Sequence, residues 1–312
     1  MSASARSSFR HEALVYRSPD ELLAGTVPFV RGGLEADEPV LVAVPPGSME
    51  PIRSALGDSA GRVRFVDMTE AGRNPGRIIP GVLHSFVSQH TPQRVRIVGE
   101  PIWAGRTAAE YPACVQHEAL INLAFADADL VILCPYDARR LAGEALADAE
   151  RTHPLIATGE GRRASTAYAA PQAVVAEFNR PLTDPATPPA TLIFDADDLP
   201  AVRRFVAGHA GRAGLPTGRI ADLEVAVNEV ATNTVTHGGG PGTLRVWRER
   251  GGVICEVCDP GQLTDPLAGR IPPDPHSEHG RGLLLVNHMC DLVRVHTDHK
   301  GTTVRMYMYM RA

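Results

Sequence analysis

Glu229 and Asn233 stand four residues apart in the stretch ADLEVAVNEVATNTVTHGGG. Helix geometry stacks such a pair on one face, with Asp222 and Ala226 nearby and Leu223, Val227, Val230 and Thr234 forming an apolar stripe beside them. A face that is merely solvated favours Glu, Lys, Arg or Gln. This one carries Thr232, Asn233, Thr234, Val235 and Thr236, all mediocre helix formers. A carboxylate one turn from an amide oxygen is suited to taking a hydroxyl proton while the amide holds a hard cation. Further on, VICEVCDPG ends at Asp259 before a Pro260-Gly261 turn. An aspartate there can accept a hydrogen bond from an exocyclic amine, and Gly261 lets backbone approach a planar base. In HGRGLLLVNHMCD, Gly280 and Gly282 precede a helix beginning near Leu283, which leaves backbone N–H groups free for phosphate at its start. Each feature alone has a plainer reading: a solvated face, a capped Pro-Gly turn, a glycine-rich helix entry.

The elements that must hold these residues follow from the pattern around them. From Thr191 the order reads strand (LIFD), two helices over 197–213 and 218–237, then two strands, TLRVWRER and VICEVCD, joined by Gly251-Gly252 as a hairpin. A loop rich in Pro and Gly covers 260–282, followed by a short helix and the strands LVRVHT and TTVRMYMYM. That is an α+β sandwich of about 120 residues, close to the usual size of one domain. Ahead of it, RPLTDPATPPAT holds Pro181, Pro185, Pro188 and Pro189, a density that prevents a regular helix and favours an extended spacer. The expected division is therefore 1–180, a linker over 181–191, and 192–312. In the first part, short apolar runs at 13–16, 39–44, 63–66, 95–98 and 130–134 alternate with amphipathic stretches. This predicts an α/β domain with a doubly wound, mostly parallel sheet.

Composition excludes several chemistries. Of 31 basic residues only Lys300 is lysine, and it sits outside any P-loop, Schiff-base or kinase-lysine context. The net charge of -5 supplies no basic field for phosphate-driven nucleic-acid binding. No apolar run is long enough for a membrane span, and the opening MSASARSSFR lacks a signal core and reads as a frayed tail, so a cytoplasmic protein is expected. Five cysteines are too scattered for a disulfide framework. Cys255 and Cys258 form a C-x-x-C on a strand, where side chains three apart point to opposite faces, so they read as packing residues. Whether Cys114, Cys134 or Cys290 is redox-responsive stays open.

Taken in order, E-V-A-T-N-T-V-T-H-G, D-P-G, G-R-G-L and G-T-T resemble the N, G1, G2 and final boxes of GHKL-type ATPases, with a Bergerat-type ATP-binding sandwich. The likeness is to the anti-sigma-factor serine kinases and covers residues 192–312. It implies ATP and Mg²⁺ as cofactors, with Glu229 as the base for a substrate serine and Asn233 as the Mg²⁺ ligand. It further implies Asp259 on the adenine amino group and Gly261 beneath the base. Gly280, Arg281 and Gly282 would contact phosphates, Thr303 would support the Asp259 end, and 262–279 would form an extended lid. Without an ε-ammonium, such a site neutralises phosphate with Mg²⁺, Arg281 and helix-terminal amides. The stretch D-P-G-Q-L lacks the second glycine of that pattern, and Arg270 and Arg281 are the lid's main means of gripping a γ-phosphate.

In the first part, PVLVAVPPGSMEPIRSAL has the outline of a P-loop but offers Met49-Glu50 where Gly-Lys is needed, and Glu50 would repel phosphate. Ligands of such sheets bind beyond the carboxyl ends of the strands. Those ends offer Pro45-Pro46, Asp67, Glu100 with Trp103, and Cys134-Pro135-Tyr136-Asp137. A sensory pocket at Glu100, Trp103, Tyr136 and Asp137 is the expectation. HEALVYRSPDELL, GEPIW, YPACVQHEALINLAF and LCPYD resemble the MEDS sensory domain over 9–178, implying a signal-receiving, degenerate RecA-like sheet. The whole then reads as a sensor governing an anti-sigma serine kinase, whose partners are a sigma factor and an anti-anti-sigma STAS protein. A small-molecule signal, a homodimer, and no direct nucleic acid or membrane complete the expectation. Two alternatives remain: a non-catalytic ATP-dependent partner clamp, and a histidine-kinase-like protein using His153 of RTHPL.

Overall fold

The computed structural model describes residues 9–158, 161–249, 251–273 and 280–310. The chain divides into two compact units between Phe178 and Asn179.

The strands of the first unit are β1 (Arg10–Tyr16), β2 (Val40–Val44), β3 (Val63–Asp67), β4 (Val95–Gly99), β5 (Leu130–Asp137), β6 (Leu155–Thr158) and β7 (Gly161–Ala164). They form one sheet in the order β3-β2-β4-β5-β1-β6-β7. Every pairing is parallel except β6 with β7. The helices are α1 (Pro19–Glu35), α2 (Pro46–Leu56), α3 (Met68–Ala71), α4 (Ser85–His90), α5 (Tyr111–Ala124), α6 (Gly143–Thr152) and α7 (Pro171–Glu177). The five apolar runs all become parallel strands. Strands covered on both faces need side chains that are apolar in both directions, and all five residues of β2 are buried. Strand alternation sends Leu14, Tyr16, Val131 and Leu133 into a core with Leu22, Val30 and Ile52 of α1 and α2. The alternate set, including His11 and Cys134, faces α5, where Glu118 reaches both. The hairpin β6–β7 has no counterpart in the sequence reading, because β7 (GRRA) is exposed throughout and carries no apolar alternation. The P-loop outline does become strand, turn and helix. Pro45 alone separates β2 from α2, so no loop exists there to wrap a phosphate.

The second unit holds β8 (Ala190–Phe194), α8 (Leu199–Ala213), α9 (Thr217–His237), β9 (Gly242–Glu249), β10 (Gly252–Asp259), α10 (Gly282–Met289), β11 (Leu292–Asp298) and β12 (Gly301–Tyr309). Its sheet runs β11-β12-β10-β9-β8, antiparallel at every step. The three helices cover one face. Val206, Leu223, Val227 and Val286 pack against Cys255, Val257, Val304 and Met306. Gly214, at φ 85°, takes the left-handed conformation that ends α8 and lets α9 turn back against it. Cys255 is fully buried under the helices, whereas Cys258 lies on the other face beside Glu256 and Thr303. All five cysteines are free thiols.

The Pro-rich segment is tied down at its start. Asn179 accepts from the Thr297 backbone N–H at 3.1 Å and donates to the Thr297 carbonyl at 2.7 Å. The Thr183 carbonyl accepts from Arg305, and Asp184 pairs with Arg245. These two arginines also hold Glu256, which is buried on the face of the sheet opposite the helices. Residues 179–184 thus cover part of that face, which explains why the division falls at Asn179.

Candidate functional site

Helix α9 carries Glu229 and Asn233 along its edge, and α10 starts against them. A Cβ at Gly282 would lie 3.0 Å from Glu229 Oε2 and 3.5 Å from Asn233 Nδ2. Glycine is therefore what lets the first turn of α10 approach the carboxylate and the amide. No side chain caps α10, so its leading N–H groups are available to an anion. A cleft of about 580 Å³ opens between α9, α10 and the ends of β10 and β12, lined by Asn233, Asp259, Gly261, Gly280, Gly282 and Thr302 among others. That volume suits a nucleotide-sized ligand.

Asp259 terminates β10 at one end of the cleft. Thr234 donates to its Oδ2 at 2.8 Å and the Gly261 N–H to its Oδ1 at 2.9 Å. Both carboxylate oxygens are thus oriented, each with a further lone pair to offer. Gly261 must be small: a Cβ there would lie 2.8 Å from Gly238 Cα and 3.1 Å from the His237 carbonyl. Its own carbonyl accepts from Thr302 at 2.8 Å.

Asn233, Asp259, Gly261, Gly280 and Gly282 line this cleft, and Glu229 lies against Gly282. Thr303 does not support the Asp259 end. Its hydroxyl donates to Cys258 Sγ at 3.5 Å on the opposite face of the sheet. The neighbouring Thr302 stands opposite Asp259 in the strand register and takes that place. Alternation makes one of two adjacent threonines face the cleft, and only the pairing of β12 with β10 decides which. Arg281 is exposed at the entry to α10.

The described part of the lid, 262–273, contains neither helix nor strand, as its prolines predict; residues 274–279 lie outside the described residues. Leu263, where the resembling pattern has its second glycine, donates its N–H to Thr297 and Thr302, each at 3.2 Å. The turn at Gly269 (φ 68°) is held to α10 through its carbonyl, which accepts from Asn287 at 3.0 Å. The lid is thus anchored at Leu263 and at Gly269.

In the first unit the expected sensory pocket comes together only in part. Glu100 is buried, with Oε2 unpartnered. Burial pushes its carboxyl up to about 7, against a hydrogen bond from Ser48; Asp137 adds to the rise and Arg140 opposes it. Burial, with the charges of Glu100 and Asp137, likewise raises Tyr16. The group at the strand ends is therefore Glu100, Asp137, Tyr16, Ser48 and Arg140. Trp103 is covered by the Arg106 guanidinium, 3.7 Å from its ring centre, while Arg106 is held by the carbonyls of Pro101, Gly72 and Arg73. Tyr136 points under α5, donating to Glu118 Oε1 at 2.8 Å. His153, the acceptor that a histidine-kinase reading needs, is completely buried and unsuited to receive a phosphoryl group.

Fold and cleft together define the second unit as a kinase-like ATPase domain. The family model described as histidine kinase-like ATPase domain matches residues 193–308. The MEDS model, a methanogen/methylotroph sensory domain, matches residues 10–154. The serine-protein kinase RsbW of Bacillus subtilis is 34% identical over 125 residues, 35% of this chain and 76% of that protein. Its counterpart from Halalkalibacterium halodurans is 30% identical over 141 residues, 41% of this chain and 85% of that protein. A crystal structure of the RsbU and RsbW domains of a Mycobacterium tuberculosis protein aligns at 21% identity and a TM-score of 0.32, covering 40% of this chain and about a third (34%) of that one. The chain belongs to the RsbW family of anti-sigma-factor serine kinases and carries a MEDS domain ahead of its kinase part. Among the described residues, no helix is long and apolar enough to cross a membrane.

Proposed function

We propose that this protein is a cytoplasmic, signal-responsive anti-sigma factor. It would bind ATP in the cleft of the second unit, sequester a sigma factor, and phosphorylate a serine of an anti-anti-sigma protein of the STAS type. The observation that carries the reading is the seating of Gly282 against Glu229 and Asn233, in the cleft whose other end is the oriented Asp259. Asp259 accepts from the adenine amino group, with Gly261 beneath the base. The α10 amides, Gly280 and Arg281 meet the phosphates. The donor set fits a magnesium–nucleotide, because the Asn233 amide oxygen is a hard ligand beside uncapped helix amides. Mg²⁺ held by Asn233 supplies neutralisation of phosphate charge, which the near-absence of lysine leaves to it and to Arg281. Glu229 takes the proton from the substrate serine as its oxygen attacks the γ-phosphorus; the bond to the β–γ bridging oxygen breaks and ADP departs.

In this reading the second unit is a Bergerat-type sandwich and the first a RecA-like, doubly wound sheet without its phosphate loop. Support for the latter is the central parallel run β2-β4-β5-β1 with helices on both faces. A small molecule held near Glu100 and Asp137 would shift partner affinity by favouring one conformation, and the coupling must be reciprocal. The kinase part would pair as a homodimer.

Transfer of radiolabelled phosphate from ATP to candidate STAS proteins tests the reading. Glu229→Gln should reduce transfer at least 100-fold while the ATP dissociation constant changes less than about threefold. Asn233→Ala should abolish Mg²⁺-dependent ATP binding. Binding that survives with no transfer to any STAS protein would leave the ATP-dependent clamp in place of the kinase.

A further inference from the structure

Beneath α5, on the face of the first sheet away from α1 and α2, four side chains from four elements converge: His11 of β1, Glu118 of α5, Cys134 of β5 and His153 just after α6. All are essentially inaccessible to solvent. One potential ligand atom from each lies within 4.8 Å of the other three. We propose that His11, Glu118, Cys134 and His153 form a closed, four-coordinate site for one divalent transition-metal ion of the zinc type.

The separations match such an ion. Metal–ligand bonds of about 2.0–2.3 Å at tetrahedral angles place ligand atoms about 3.3–3.8 Å apart. Here His11 Nε2 lies 3.3 Å from Glu118 Oε2 and 3.5 Å from Cys134 Sγ. Glu118 Oε2 lies 3.6 Å from His153 Nε2 and 3.7 Å from Cys134 Sγ.

The surrounding hydrogen bonds set both imidazoles in the ligating tautomer. Asn122 spends its amide N–H groups on the carbonyls of Thr152 and Glu118, which leaves its Oδ1 as the acceptor for His11 Nδ1 at 3.2 Å. His153 Nδ1 lies 2.8 Å from the Ala149 carbonyl, which can only accept. Both rings therefore carry their proton on Nδ1 and turn the Nε2 lone pair inward, the arrangement that outer partners impose on metal-bound histidines. His153 Nε2 has no hydrogen-bond partner although it is fully buried. A buried lone pair left unmatched is costly, and an ion would satisfy it. Tyr136 binds Glu118 Oε1 and so reserves Oε2 for the chamber.

The donor chemistry selects the ion. Two imidazoles, a thiol and one carboxylate suit Zn²⁺, Co²⁺ or Fe²⁺; Mg²⁺ and Ca²⁺ need six or more oxygens. Four protein ligands leave no open position, so the ion would brace β1, β5, α5 and the end of α6 rather than do catalysis. This site lies in the first unit and stands independently of the nucleotide cleft.

The test is metal analysis of the full chain purified without chelator, followed by titration of the metal-free protein with Co²⁺. We expect one equivalent bound per chain, with a thiolate-to-cobalt charge-transfer band and the visible bands of a tetrahedral ion, displaced by Zn²⁺. Cys134→Ser should lose the charge-transfer band, and Cys258→Ser should keep it. If Cys134→Ser fails to fold, the wild-type thermal shift decides: Zn²⁺ should raise the Tm by several degrees where Mg²⁺ does not, and His153→Gln should lose that shift. Folded protein that takes up no Co²⁺, or a band that survives Cys134→Ser, overturns the proposal. ATP titration is unaffected in either event, so failure here is separable from failure of the kinase reading.

Discussion

Two hydroxyls one residue apart separate the work of position from that of composition. Thr302 donates to the Gly261 carbonyl and accepts from the Leu263 N–H, whereas Thr303 donates to Cys258 on the far face. Thr302→Val keeps the volume but strands a carbonyl, a loss of about 1–3 kcal/mol. ATP affinity by calorimetry should fall about tenfold or more, and Thr303→Val should leave it within twofold. Glu100 gives a second residue-level expectation. Its folded carboxyl titrates near 7 instead of its ordinary 4.5, so the folded state holds the proton more tightly than the unfolded chain. The associated stability is fully present below about 4.5 and is lost as pH rises through 7. Glu100→Gln mimics the protonated form and should gain stability over wild type as pH goes from 5 to 8, by an amount on the order of 3 kcal/mol at most. Melting curves at the two pH values check this, and a constant difference between the proteins would refute it.

Among the elements, α9 and α10 act as a pair. The N-terminal turn of α9 is bound to the start of β11 by Arg219, which pairs with the buried Asp291 and donates to the Met289 carbonyl at 3.3 Å. Asp291 also accepts from the Tyr309 N–H at 2.7 Å, so the entry to β11, the end of β12 and α9 are locked together. This fixes how α10 lies against the Glu229 face. Gly282→Ala separates stability from function. Alanine at the first residue of a helix lowers unfolded-chain entropy and should leave Tm unchanged or slightly raised. The added methyl would press on Glu229 Oε2 at 3.0 Å and displace it. Phosphoryl transfer should drop at least tenfold, about 1.4 kcal/mol in the barrier. Equal losses of stability and activity would contradict the close approach as the reason for glycine.

For the whole molecule, the division between Phe178 and Asn179 has a testable consequence. A fragment of residues 179–312 keeps the contacts of Asn179, Thr183 and Asp184 with Thr297, Arg305 and Arg245. A fragment beginning at residue 192 loses them, together with the first residues of the edge strand β8, and leaves one face of the Glu256–arginine group uncovered. The longer fragment should melt several degrees higher and bind ATP with the affinity of the full chain, as measured by calorimetry on both. The binary character of the chain was readable from composition: β-rich runs between helices in the first part, paired strands around helices in the second. The boundary expected at 180 lies within two residues of the observed one, but the surface on which the Pro-rich segment starts was not readable, because proline density reports only that a segment avoids helix.

Local pattern sufficed for β1 to β5, the α+β sandwich and the family, though not for β6 and β7. Apolar runs, Pro-Gly turns and ordered glycine boxes are properties of short stretches, and backbone preference acts at that range. Even Glu229 and Asn233 needed only the helical period. The choice of Thr302 over Thr303, the partial assembly of Glu100 with Asp137, and the gathering of His11, Glu118, Cys134 and His153 came only with the packed chain. Those four residues have no ligand-like spacing, since up to 142 positions separate them. They meet because parallel pairing sets β1 beside β5 and alternation turns their side chains toward α5. Register and sheet face depend on long-range pairing, and nothing in a single strand's sequence specifies its partner.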